Sequence, residues 1–206
     1  MRWLGGLMAV AVMLGGQWAR AEAALGAETA WTELTVRVYD SARLHPPLTR
    51  AALDIAARTL SPASVEVTWV WCSGGADRRC AVPAGRGEVM VRLIRSATPA
   101  SSHDAHTLGT ALVDPHTGSG VLATVYVERV EYLARVAGAD LATLLGRAIA
   151  HEIGHLLLGH SAHGLHGLMR PLWTRDEVKR NASADWGFAP PELLAIRATR
   201  ADASRR

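Results

Sequence analysis

The chain has 206 residues, a length that suits one domain with short tails. Apolar residues make up 49% of it, which is enough to bury a sizeable core. The formal net charge of +3 is small and spread along the chain, so it does not indicate a nucleic-acid-binding protein.

The first residues resemble an export signal. Arg2 precedes an uncharged apolar run from Leu4 to Leu14, and the small-residue pattern Ala21-Glu22-Ala23 follows. This order is typical of a secretory signal peptide. The apolar run is shorter than the roughly 20 residues that span a bilayer. We predict a signal peptide at residues 1–23, cleaved after Ala23 or after Ala21, and a secreted or periplasmic mature protein. An uncleaved membrane anchor is the alternative.

Strand and helix periodicities alternate along the next hundred residues. Leu34 to Asp40 alternate between apolar and polar residues, which predicts a strand. After Pro46 and Pro47, apolar residues recur at helical spacing until Ser61-Pro62 ends that helix. By the same reasoning we predict strands at residues 34–40, 65–71, 88–95, 108–113 and 121–127, and helices at 46–60 and 128–136. This order of elements is that of an α/β protein.

The chain has two cysteines, Cys72 and Cys80, and the short segment between them contains two glycines. Disulfides persist where exported proteins fold, so we predict a Cys72–Cys80 disulfide that closes this loop. A loop of this size gives about 2–3 kcal/mol in the chain-entropy model. Two free thiols or a metal-binding pair are the alternatives, although the spacing matches no common zinc knuckle.

A helix with apolar residues on nearly every side is predicted between Asp140, a plausible N-cap, and Gly159, a plausible C-terminal glycine. Such a helix is buried. It carries the run His151-Glu152-Ile153-Gly154-His155. Residues i and i+4 lie on one helix face, so both histidines can reach one metal ion. Burial of these polar groups without a partner would cost several kcal/mol, and a metal removes that cost.

Glu152 lies about 100° further round the helix than His151. From there its carboxylate can accept a proton from a metal-bound water without binding the metal itself. Zinc is the metal that two imidazoles favour, and a hydrolytic zinc site has three protein ligands and one open position. The pattern therefore predicts zinc held by His151, His155 and a third ligand, with Glu152 as the catalytic general base.

Three histidines follow the helix break at Gly159 and are candidates for the third ligand. His160 would point about 180° away from His151 if the helix continued, so it would depend on the Gly159 turn to come back. His163 has more chain in which to return and is our first choice. His160 and His166 remain the second and third candidates.

The segment Gly167-Leu168-Met169-Arg170-Pro171 follows, and here the sequence resembles the metzincin metallopeptidases. Their pattern is His-Glu-x-x-His-x-x-Gly-x-x-His, followed by a turn that contains a methionine beneath the zinc. This chain has one extra residue before Gly159 and another between Gly159 and His163. It is also similar to secreted bacterial proteins with His-Glu-Ile-Gly-His-Leu-Leu-Leu-Gly, a loop containing serine and histidine, and Gly-Ile-Met. The histidine of that loop corresponds to His163.

The resemblance implies a zincin-like α/β (α+β) fold for residues 31–206 as a single domain. That fold would have a twisted mixed sheet, a buried active-site helix and a small, mostly helical C-terminal part from about residue 160. It also implies a zinc metalloendopeptidase with Met169 under the histidines. The predicted strand at residues 121–127 would then be the sheet edge that pairs with a peptide substrate.

Two functions are compatible with the sequence. The first is a secreted zinc-dependent peptidase that acts on a peptide or protein substrate, with no nucleic-acid partner and no membrane association after signal cleavage. The second is a non-catalytic binding module that keeps zinc for stability. A structural zinc site usually closes with a fourth protein ligand, so the free carboxylate of Glu152 favours the enzyme.

Overall fold

The computed structural model describes residues 32–74, 77–95 and 107–204. The predicted signal peptide, residues 1–23, lies outside this part of the chain. Across the described ranges, no helix is long and apolar enough to cross a membrane.

Five strands and five helices follow one another within the described ranges, in nearly the predicted order. The strands are β1 (Thr32–Asp40), β2 (Val65–Trp71), β3 (Glu88–Ile94), β4 (Gly109–Asp114) and β5 (Ser119–Tyr126). The helices are α1 (Pro46–Leu60), α2 (Val127–Ala137), α3 (Leu141–Leu158), α4 (Arg175–Arg180) and α5 (Pro190–Ser204). The predicted boundaries of the strands and helices before residue 140 lie within two residues of these bounds.

The strands form one mixed sheet in the order β2-β1-β3-β5-β4. The first four strands of this order run parallel, and β4 runs antiparallel to β5. The mixed α/β fold predicted from the sequence is therefore confirmed. The expected edge strand is wrong: the strand predicted at residues 121–127 is β5, which pairs on both sides. Within the described residues the two edge strands are β2 and β4, and β4 is the edge next to β5. The turn at residues 115–118 makes β4 and β5 a hairpin, and β4 takes the outer position.

The core lies between the sheet and the helices α1 and α3. The side chains that alternate along β1 (Leu34, Val36 and Val38) are fully buried there, together with apolar residues of α3 such as Ile149 and Ile153. Helices α1 and α3 approach closely at Gly146, where an added Cβ would lie 2.5 Å from the Ala52 carbonyl oxygen. Burial of α3 on almost every side follows from its apolar composition.

The loop after β2 is closed by a disulfide between Cys72 and Cys80, with a Cα–Cα distance of 5.5 Å. The disulfide predicted from the sequence is therefore confirmed.

Arg37 on β1 holds the segment between this loop and β3. The residue is 2% exposed, and its guanidinium donates to the carbonyl oxygens of Val82 and Pro83 and pairs with Glu88. The Gly85 N–H and the Arg37 guanidinium keep the pKa of Glu88 below its ordinary value.

Candidate metal centre

Helix α3 places the central residues of the site in the protein interior. The Asp140 carboxylate accepts a hydrogen bond from the Thr143 N–H at its start. Gly159 ends the helix in the left-handed conformation, with φ of 72°, as the sequence predicted. Between these ends, the side chains of His151, Glu152 and His155 are 8%, 5% and 5% exposed.

Three histidine rings converge at one point. The potential ligand atoms of His151, His155 and His163 all lie within 4.8 Å of one another. The Nε2 atoms of His151 and His155 are 3.1 Å apart. Two nitrogens bound to one tetrahedral zinc ion at about 2.0–2.1 Å would lie about 3.4 Å apart, so this separation suits such an ion. The group has the imidazole donors that zinc prefers.

The opposite ring nitrogens of the helix pair face backbone carbonyl groups. His151 Nδ1 lies 2.8 Å from the Leu168 oxygen, and His155 Nδ1 lies 3.0 Å from the His160 oxygen. A carbonyl oxygen only accepts, so each Nδ1 carries the proton and donates it. This tautomer leaves the Nε2 lone pair of each ring free for a metal. The residues present therefore fit a zinc ion.

Burial shifts the pKa values of these groups in the direction that favours their neutral forms. It lowers the pKa of His151 to about 3 and that of His155 to about 4, against the opposing effect of the two backbone hydrogen bonds. Burial also lowers the pKa of His163, and raises the pKa of Glu152 to about 8. The histidines are neutral at pH 7, as metal ligands must be. A cation brought close to Glu152 would favour its carboxylate form.

The structure brings His163 to the helix pair, whereas His160 and His166 stay outside. Of the described residues, only His151, His155 and His163 form a group of three or more potential ligands with closely spaced donor atoms. The His160 side chain is exposed, and this residue contacts the site through its backbone oxygen. His166 is likewise exposed.

A tight turn lies beneath the histidines. Leu168 and Met169 are fully buried, and the Gly164 N–H donates to the Met169 oxygen at 2.9 Å. A Cβ at Gly154 on α3 would lie 2.7 Å from Met169 Sδ, so the missing side chain makes room for the methionine. Met169 therefore packs as an apolar floor against helix α3 at Gly154, the residue before His155.

The histidines and Glu152 line a cleft of about 250 Å³ between two walls. The segment from Thr107 to Ala111, which leads into β4 and includes its first three residues, forms one wall. Ser161, Pro171 and Trp173 contribute to the other. The ring of Trp173 packs edge-on against His151, with 5.6 Å between ring centres.

Sequence reasoning missed the role of Gly109. A Cβ at this position would lie 2.6 Å from Glu152 Oε1, so only glycine lets β4 pass so close to the carboxylate. A glycine at the start of a predicted strand can mark such a close approach, and this was the available signal. The Tyr126 N–H donates to the Leu108 oxygen. Because alternate residues of an antiparallel strand face its partner, the backbone groups of Gly109 and Ala111 point to the open edge.

Comparison with solved structures supports the fold. The chain is similar to archaemetzincin from Methanopyrus kandleri, with a TM-score of 0.54 and 17% sequence identity, over 84% of this chain and 97% of that one. No protein-family model and no curated protein matches the chain. A likeness at this identity concerns the backbone alone. The mixed sheet and buried helix that the sequence predicted belong to the fold that the chain shares with archaemetzincin.

Proposed function

We propose that this protein is a zinc-dependent metallopeptidase. The observation that carries the proposal is the convergence of three neutral imidazoles beside a buried glutamate in an open cleft. Buried polar groups of this kind are costly unless they have a partner, and their donor chemistry suits zinc. The fold shared with archaemetzincin is compatible with this function.

In this proposal His151, His155 and His163 hold the zinc ion. Zinc would supply a Lewis acid that polarises a scissile carbonyl and lowers the pKa of a water molecule toward about 7. Glu152 accepts the proton of the attacking water and passes it to the leaving amine. Gly109 keeps β4 from displacing the Glu152 carboxylate.

The proposed substrate is a peptide in extended conformation. The open edge of β4 offers the N–H and C=O groups of Gly109 and Ala111, which can pair with an extended backbone. Because β4 also forms a wall of the cleft, a peptide paired with it would pass next to Glu152. Cleavage within a chain, as by an endopeptidase, is the form of hydrolysis that we propose.

Substitution of Glu152 by Gln tests this function. The amide cannot accept the proton, so hydrolysis of a peptide library should fall about 10²–10⁴-fold while zinc remains bound. Glu66→Gln, an exposed residue of β2, is the control and should leave the rate unchanged. A Glu152→Gln variant that hydrolyses peptides at the wild-type rate would contradict the mechanism. Stoichiometric zinc in a wild-type protein that cleaves no peptide would favour the binding module.

We also propose that the protein is exported. The charged, apolar and small-residue order of residues 1–23 supports this, and the Cys72–Cys80 disulfide is compatible with an oxidising compartment. Intact-mass spectrometry of the expressed protein should find the mature chain starting at Ala24 or Glu22, with no free thiol. Retention of residues 1–23, or two free thiols after export, would refute it.

A further inference from the structure

Arg170 is a buried cation next to the metal centre, and its contacts join separate parts of the C-terminal region. The residue is 6% exposed. Its Nη1 donates to the backbone carbonyl oxygen of Gly167 at 2.6 Å and also to the backbone carbonyl oxygen of Asp185. Its Nε lies 3.4 Å from a carboxylate oxygen of Glu177. The guanidinium thereby ties the turn at residues 167–170 to helix α4 and to the short 3₁₀ helix that contains Asp185.

The Arg170 charge is stabilised by Trp186 and Glu177, but a second cation lies close to it and two of its nitrogens lack hydrogen-bond partners. Its Cζ is 4.6 Å from the ring centre of Trp186, and Arg147 lies over the same ring at 4.1 Å. Burial and the nearby Arg170 charge lower the pKa of Arg147 to about 10. The Nε and Nη2 atoms of Arg170 are buried without a hydrogen-bond partner. A buried ion pair such as Arg170 and Glu177 can often be replaced as a whole by apolar side chains without loss of stability, so the pair is better explained by the geometry that it imposes.

That geometry concerns one carbonyl group. The Leu168 oxygen accepts hydrogen bonds from His151 Nδ1 at 2.8 Å and from Trp173 Nε1 at 3.3 Å. Arg170 binds the oxygen of Gly167, the residue directly before Leu168. Movement of the turn would therefore move the atom that sets the orientation of the His151 ring.

The other helix histidine has a different support. His155 Nδ1 faces the His160 oxygen, which belongs to the segment directly after the helix break. Arg170 makes none of its hydrogen bonds to that segment. The contacts of Arg170 therefore bear on His151 and leave the support of His155 unchanged.

We infer that Arg170 is a positioning residue of the metal centre: by fixing the turn at residues 167–170, it holds the Leu168 oxygen against His151 and so orients the His151 ring toward a bound zinc ion. The inference rests on the proposed metal centre. Loss of the outer hydrogen-bond partner of a metal-binding histidine typically lowers metal affinity about 10–100-fold. The same range is expected for loss of the Arg170 guanidinium.

The test replaces Arg170 by Met, which keeps an unbranched apolar stem and carries no charge. Zinc affinity is measured on the folded protein, and the visible absorption spectrum of the cobalt-substituted protein reports ligand geometry. The matched control is Arg37→Met, because Arg37 is a buried arginine that likewise binds two carbonyl oxygens and pairs with a glutamate. Arg170→Met should lose about 10–100-fold in zinc affinity and change the cobalt spectrum. Arg37→Met should lower the unfolding temperature and leave both metal measurements at their wild-type values.

Wild-type zinc affinity and an unchanged cobalt spectrum in folded Arg170→Met would overturn the inference. If that variant does not fold, Arg170→Gln is measured in its place and is judged by the same outcomes. Failure of both variants to fold would also overturn it, because Arg170 would then serve folding as a whole and not the placement of one ligand. A wild-type protein that binds no zinc would refute the proposed function itself, which distinguishes the two failures.

Discussion

The helix histidines and the loop histidine of the candidate metal centre are held in place by different physical means. His151 and His155 belong to a helix that is buried on nearly every side, so neither can move without disturbing the core. His163 is exposed and lies in a stretch without helix or strand, where the Gly164 N–H to Met169 oxygen bond holds the chain. In the proposed metal centre, the helix would therefore supply two preformed ligands, and the loop ligand would have the lower local stability.

The largest expected effect comes from removal of the loop ligand. Structural zinc sites contribute about 10–16 kcal/mol over their ligands, or roughly 3 kcal/mol each, so His163→Ala should lower zinc affinity by about two orders of magnitude. His160→Ala keeps the backbone oxygen that supports His155 and should retain zinc. His166→Ala should also retain it, because this side chain lies outside the histidine group.

Equilibrium dialysis of the three alanine variants against a competing chelator provides the measurement. Circular dichroism of each variant controls for loss of the fold. Full zinc affinity in His163→Ala together with loss of zinc in His160→Ala would reverse the assignment of the third ligand. It would also mean that the turn after Gly159 can aim the His160 ring at the helix pair.

The two regions also differ in how far the sequence could predict them. The apolar pattern, the cap at Asp140 and the glycine at Gly159 all favour the same helix, so its bounds and its buried face could be predicted. The third ligand, by contrast, could only be chosen by ranking the histidines after Gly159, and His163 came first because it has the most suitable length of chain in which to return to the helix. The path of that return depends on contacts such as the Leu168 N–H to Gly187 oxygen bond, which no local pattern encodes.

The error in the predicted edge strand and the unanticipated burial of Arg170 have a related cause. The edge position of the strand at residues 121–127 was implied by the family resemblance. Period-two alternation tells which face of a strand is buried but does not identify its neighbours, so the sequence pattern could not correct that expectation. An arginine ordinarily reads as a surface residue. Its burial at position 170 depends on oxygens of Gly167 and Asp185 that the fold brings together.

Substitution of Gly146 by Ala should show how rigid the contact between helices α1 and α3 is, independently of the metal centre. The added Cβ would lie 2.5 Å from the Ala52 oxygen and 2.7 Å from Ile55 Cβ, so helices α1 and α3 must move apart. Overpacking of this kind typically costs about 1–3 kcal/mol, and a rigid backbone neighbour places Gly146→Ala at about 3 kcal/mol. Urea unfolding of the metal-free protein measures the loss.

Gly154→Ala is the matched comparison on the same helix. Its Cβ would meet the side chains of Met169 and Phe188 at 2.7 and 2.8 Å. Side chains yield more easily than backbone, so the cost should be about 1 kcal/mol, at the lower end of the same range. Equal losses for the two variants would show that the floor of the site is as rigid as the contact between α1 and α3, contrary to the comparison above.

The smallest expected effect concerns the cap of helix α3. Asp140→Ala removes the carboxylate that accepts from the Thr143 N–H and O–H groups, and loss of such a cap typically costs about 1 kcal/mol. These hydrogen bonds lower the pKa of Asp140 from its ordinary value of 3.8. Since the folded protein then binds the proton more weakly than the unfolded chain, the contribution is fully present above the ordinary pKa and is lost as the pH falls through the folded one.

The difference in unfolding free energy between wild type and Asp140→Ala should therefore be constant from about pH 5 to pH 8 and shrink below pH 3.8. Asp54→Ala, at an exposed position of α1, is the control and should change the unfolding free energy by less than about 0.5 kcal/mol at every pH. A difference for Asp140→Ala that grows as the pH falls would show that the carboxylate opposes folding. The start of α3 would then owe its position to packing alone, and the rigidity of the two helix histidines would not depend on the cap.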